Sequence, residues 1–167
     1  YRNHHSKRRE MARFSAKDSE AYERYSRDVT RQCRFIQPLL MRTAPDPASF
    51  KIRDISEVFY LIKQFNNLTP DQMAETIRFW TMSISDYLDG YFENDVIKAS
   101  LAVSGIIGTA LGPMSPGSAY VLLHHYMGEV DGSIGSWGYA RGGMGAITQA
   151  LTSSFKSYGG SILTEAE

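Results

Sequence analysis

Cysteine is almost missing from this chain: Cys33 is the only one in 167 residues. One thiol rules out an intrachain disulfide framework and fits a reducing compartment. Net charge is missing as well, because 18 lysines and arginines balance 18 acids. No global field therefore points toward nucleic acid or an anionic membrane. Long apolar runs are missing too. The nearest to a membrane span, Leu101 to Leu111, falls short of the roughly 18 residues needed and is broken by Gly105 and Gly108. Between Ala99 and Ala140 there is no lysine or arginine, and the only acids are Glu129 and Asp131. Catalytic frames are lacking in the same way. No Ser-His-Asp order, phosphate-binding loop or Cys-His pair stands out, and neither His4–His5 nor His124–His125 has further ligands at metal spacing. No catalytic residue and no metal site is assigned.

What is present falls into four stretches. Residues 1–13 are basic and polar and read as a solvated strand or loop. They lack the interleaved aromatics that nucleic-acid stacking needs, so no nucleic-acid partner is expected. Ten of the 18 basic residues lie in the first 34 positions against five acids, a local excess of five.

Residues 14–111 read as a helical frame. Phe14-Ser15-Ala16-Lys17-Asp18 is a helix entry with Ser15 as cap, Asp18 in a capping-box position and Phe14 placed as a hydrophobic staple. Ala21, Tyr22, Tyr25, Val29, Gln32, Cys33 and Ile36 then recur at helical spacing. Ile52 to Ile62 forms a second apolar face ending near Asn66. Thr69-Pro70-Asp71-Gln72 opens a third helix, apolar almost all round and expected to run to Gly90. A fourth spans Asp95 to Ser104.

Residues 112–160 are glycine-dense: half of the 14 glycines lie between Gly128 and Gly145. Ordered glycine is costly in backbone entropy, so such a stretch is expected to line a ligand, a cofactor or another domain. Within it a fifth helix, Gly117 to Met127, carries His124 and His125. Gly142-Gly143-Met144-Gly145 opens the last amphipathic helix, with Arg141 beside bare backbone N–H groups. Residues 161–167 read as a strand that has barely started. The expectation is a mainly α domain of about five to six helices with short terminal strands, cut from something longer.

Three runs carry a resemblance: S-P-G-S-A-Y-V-L-L-H-H (Ser115 to His125), W-G-Y-A-R-G-G-M-G-A-I-T-Q-A-L (Trp137 to Leu151) and G-G-S-I-L-T-E-A-E (Gly159 to Glu167). With F-S-A-K-D-S-E-A-Y at Phe14 to Tyr22, they resemble the middle of the FAD-dependent oxidoreductases of the phytoene-desaturase group. The resemblance implies a two-domain oxidoreductase in which this chain is the helical substrate domain, inserted between segments of an FAD-binding domain. It implies FAD in the whole protein, met at the domain junction by Arg141, Gly142, Gly143 and Met144. It implies a hydrophobic small-molecule substrate, met by Tyr120, His124, Trp137 and Tyr139. The strand at 161–167 would re-enter the FAD-binding domain of the same parent chain, its partner. Apolar surface left where that domain sits implies self-association into a homo-oligomer. The expected compartment is the cytoplasm of a bacterium or the mitochondrial matrix of a eukaryote. The competing expectation is a non-catalytic α-helical interaction module.

Overall fold

A computed structural model describes residues 4–130 and 132–164. Among them the chain is mainly helical: α1 (His4–Met11), α2 (Ala16–Ile36), α3 (Ile52–Asn66), α4 (Pro70–Thr81), α5 (Ile84–Asp89), α6 (Asp95–Ala102), α7 (Ser118–Tyr126) and α8 (Met144–Ser157). One small antiparallel hairpin joins β1 (Glu129–Val130) to β2 (Ser133–Ile134), with Glu129 opposite Ile134 and Val130 opposite Ser133. The chain forms two compact units, one reaching to Gly135 and one starting at Ser136.

The first unit is built on α2. Tyr22, Tyr25, Val29, Cys33 and Ile36 lie on one stripe of that helix and are all buried. Each is worth about 1.5–3 kcal/mol if a full side chain leaves water. The stripe meets Phe79 of α4, Ile84 and Leu88 of α5, Ile97 of α6, and Leu122 and Leu123 of α7. Tyr25 is the aromatic centre: its ring lies 5.2 Å from Phe92 and 5.6 Å from Tyr91, both edge-on.

The entry to α2 follows the sequence in part. Ser15 caps it, its hydroxyl oxygen accepting from the Asp18 N–H at 3.1 Å. Asp18 does not close a capping box. Its carboxylate is fully enclosed and turns outward from the helix to accept from the backbone N–H groups of Glu93 and Asn94, both at 2.9 Å. Asn94 in turn caps α6 by accepting from Val96 and Ile97. Phe14 staples nothing, because the position it would meet is Ser19, and its ring is left largely exposed.

The expected third helix is two. α4 stops at Thr81, Met82 and Ser83 are extended, and Ser83 caps α5 by accepting from the Asp86 N–H at 3.0 Å. The break is filled by the segment leading into α7. Gly117 N–H donates to the Met82 carbonyl at 3.0 Å, and the Ile84 N–H donates to the buried Ser118 hydroxyl at 2.8 Å. Gly117 has a φ of +82°, which a side chain would strain. Gly105 lies so close beneath that an added Cβ would stand 2.9 Å from the Ile84 side chain.

Three further expectations are corrected. Residues 4–11 are helical rather than strand or loop, because α1 is pinned to α2: Arg8 Nε donates to the Ser19 carbonyl at 3.1 Å and the Ser19 hydroxyl donates back at 2.8 Å. Among the described residues eight helices stand where five to six were expected, α1 and the α4–α5 break supplying the excess. The short strands fall at 129–134 rather than at the ends. Residues 161–164 form no regular strand, and the remainder of that expected strand, 165–167, lies outside the described residues.

Candidate functional site

Of the residues expected on the substrate side, Tyr120 and His124 share one face of α7. The opposite face, with Ala119, Leu122 and Leu123, is sealed in the core. Helical spacing of four brings the two rings together edge-on at 5.2 Å. Tyr120 also meets Trp80 of α4 at 5.8 Å, and Trp80 meets Phe35 and Phe65 at 6.0 and 5.9 Å. A continuous aromatic row thus crosses α2, α3, α4 and α7 and ends at the exposed His124. Among the described residues the buried Trp80 indole N–H has no hydrogen-bond partner. Sequence reading found the end of this row on α7 but missed Trp80 as its link. The signal was its place among the apolar residues of the third helical stretch.

Trp137, Tyr139, Arg141, Gly142, Gly143 and Met144 all belong to the second unit. Both glycines before α8 need the left-handed region, with φ of +89° and +78°. Gly143 occupies the cap position and supplies no side-chain cap to the Met144 and Gly145 N–H groups, while the Ala146 N–H donates to the Gly143 carbonyl at 3.2 Å. A Cβ at Gly143 or Gly145 would meet nothing within 4 Å. Arg141, Met144, Trp137 and Tyr139 are all exposed. Along α8, Met144, Ile147, Leu151 and Phe155 make an exposed apolar stripe.

Two concavities of the first unit were not foreseen, and none of the expected site residues lines either. One, of about 310 Å³, is lined by both charged and apolar side chains and opens between α2, α4 and α5. In it the Arg24 guanidinium stacks 4.8 Å over the Tyr91 ring, and the Tyr91 hydroxyl donates to Asp28 at 2.8 Å. Burial, chiefly, pushes the Tyr91 phenol up to about 12 and drives Tyr87 further in the same direction. The other, of about 400 Å³, is largely apolar and runs between α1 and α6. Its lining is scattered over residues 7–126, which is why no local pattern announced it.

The chemistry available is that of walls. Burial pushes the Cys33 thiol up to about 11, away from the reactive thiolate. The perturbed phenols are likewise held protonated at neutral pH. Among the described residues no group of three His, Cys, Asp or Glu side chains is placed to hold a metal ion, and no helix is long and apolar enough to cross a membrane. The described residues thus form a mainly helical first unit and a second unit that carries α8, both with exposed apolar faces.

Comparison with known proteins gives that class a family context. The chain is 38% identical over 164 residues to the pyridine nucleotide-disulfide oxidoreductase domain-containing protein 2 of Mus musculus, and equally so to that of Rattus norvegicus. The match takes in 94% of this chain but only 28% of the length of either relative. The resemblance seen in the motifs therefore holds across almost the whole chain, and with the branch of oxidoreductases to which those proteins belong. No family model matches, and no solved structure matches.

Proposed function

We propose that this chain is the substrate-binding domain of an FAD-dependent oxidoreductase of phytoene-dehydrogenase type acting on a hydrophobic substrate. The observation that carries the reading is the likeness to oxidoreductase-named relatives over nearly all of this chain and 28% of theirs. The open entry to α8 suits it. Two left-handed glycines, open space beside Gly143 and Gly145, and an exposed Arg141 leave room for a flat or anionic group at a helix N-terminus.

On this reading Arg141, Gly142, Gly143 and Met144 hold the edge of the cofactor. When bound, the flavin supplies the hydride step. Tyr120 and His124 of the first unit, and Trp137 and Tyr139 of the second, are the residues assigned to meet the substrate. None of them acts as acid or base. The FAD-binding domain of the parent chain is the partner, and the isolated domain is inactive. The compartment is the mitochondrial matrix in a eukaryote and the cytoplasm in a bacterium.

A second reading, a non-catalytic interaction module, is favoured by one feature of the first unit. Ile52, Ile55, Phe59 and Ile62 of α3 repeat at steps of three and four and are all exposed, a seam of the kind that receives another helix. The test is the visible absorption spectrum of the full-length protein from its natural source. Bound flavin, released by acid and weakened by Arg141→Glu, supports the oxidoreductase. A colourless full-length protein overturns it in favour of the module.

A further inference from the structure

The groove between α1 and α6 joins apolar surface to one uncommitted positive charge. Met11, Phe14, Val96, Ile97 and Leu101 supply the apolar part, and Phe14 and Val96 are more than half exposed. The cleft is held open by its anchors. α1 is tied to α2 through Arg8, Ser19 and Glu23, and α6 is capped by Asn94, which Asp18 holds.

Lys7 stands at the rim, half-buried, with its ammonium 5.9 Å from the centre of the Tyr22 ring. Among the described residues it has no ion-pair partner, and the nearby carboxylates are engaged by arginines: Glu10, also at the rim, is bound to Arg13 at 2.9 Å, and Glu23 faces Arg8. The inner wall is phenolic. Tyr22 and Tyr126 line the groove, and the buried Tyr25 hydroxyl lies behind them, close to that of Tyr126. Burial keeps Tyr25 and Tyr126 protonated at neutral pH, so this wall donates hydrogen bonds and adds no negative charge.

We propose that the groove between α1 and α6 is a binding site for an amphiphilic monocarboxylate, its head between Lys7 and the Tyr126 hydroxyl and its alkyl chain along Met11, Phe14, Val96 and Leu101. A neutral lipid would leave the Lys7 ammonium unmatched at an apolar rim. A cationic amphiphile would meet it as a like charge. A half-buried ion pair is screened less than an exposed one, and each buried CH₂ adds about 0.8 kcal/mol. The site lies in the first unit and does not depend on the flavin reading; it stands or falls without a cofactor.

The test uses the 167-residue chain and decanoate labelled with ¹³C at the carboxylate, below its micelle concentration. Saturable one-to-one binding is expected, with the bound carboxylate titrating at lower pH than the free acid. Decanol is expected to bind about tenfold more weakly, and Lys7→Glu to weaken decanoate by about tenfold or more. Val96→Trp, at an exposed position of α6, should block the groove while leaving the helical circular dichroism unchanged. Absence of saturation overturns the proposal. So does equal binding of decanol and decanoate with no effect of Lys7→Glu, which would mean apolar partitioning only. Decanoate binding unaffected by Val96→Trp would place the acid elsewhere and overturn it too.

Discussion

The Asp18 carboxylate is wholly shut away from water, yet it answers two backbone donors on a loop 75 residues further along. An enclosed charge is tolerable only when its lone pairs are filled, and here each oxygen receives one N–H at 2.9 Å. Asp18→Asn would change little in shape but would turn an amide –NH₂ toward one of those donors. We expect a loss of about 2–3 kcal/mol of folding stability, read as a lower urea midpoint with an unchanged slope. A variant as stable as the parent would show that the two N–H groups find other acceptors. Asp18 also shows where sequence reading stops. Its distance of three from Ser15 suggested a local cap, and only the fold could reveal that a distant loop competes for the same carboxylate and wins.

At the level of elements, the N-terminus of α2 is fastened to the loop before α6 by a second, exposed connection. Glu93 accepts from Lys17 at 2.8 Å and from the Ser15 hydroxyl at 3.0 Å. The Lys17 hydrogen bond, then that of Ser15, holds the Glu93 carboxyl below the ordinary glutamate range, and Lys17 is raised in return by Glu93. A lowered carboxylate contributes stability that is present above its unfolded pKa of about 4.3 and lost as pH falls through the depressed folded value. Raised Lys17 contributes below about 10.4, and that contribution goes as pH rises through its elevated value. Glu93→Gln should therefore lower stability slightly above about pH 4.3 and leave it unchanged at acid pH, where Glu93 is protonated, so that the acid limb flattens by the same small amount, as befits an exposed pair. An acid limb identical in parent and variant would remove Glu93 from the account.

Elements were legible where their own ends carried chemistry. Ser15, Thr69 and Asn66 mark three boundaries that the structure keeps, and the cap at Thr69 is a complete box with Gln72. The break at Met82–Ser83 was missed because no glycine or proline announces it; a segment more than 30 residues away supplies its hydrogen bonds. α1 was missed because HHSKRREM has no apolar stripe and owes its place to polar ties with Ser19. For the candidate site, Tyr120 and His124 came from the resemblance alone, and helical spacing explains only why their rings meet on α7. The groove lined by Lys7, Val96 and Tyr126 could not be foreseen, since its walls meet only in three dimensions.

For the molecule as a whole, the distribution of apolar surface is lopsided. α2 buries its stripe completely, whereas α3 leaves Ile52, Ile55, Phe59 and Ile62 in solvent and α8 leaves Met144, Ile147, Leu151 and Phe155 there. Uncovered faces of this kind drive association. The isolated chain is expected to self-associate in sedimentation equilibrium, and Phe59→Lys should shift it toward monomer without loss of helicity. A parent chain that is already a clean monomer would contradict this.

Cys33 gives the molecule an internal clock. It is the chain's one thiol, it is buried on the α2 stripe, and its proton is tightly held. No thiol reagent can reach it unless α2 parts from the core around Leu122 and Phe79. The rate at which the native protein becomes labelled is therefore a direct reading of how often its centre opens, obtained from the natural sequence with no probe added.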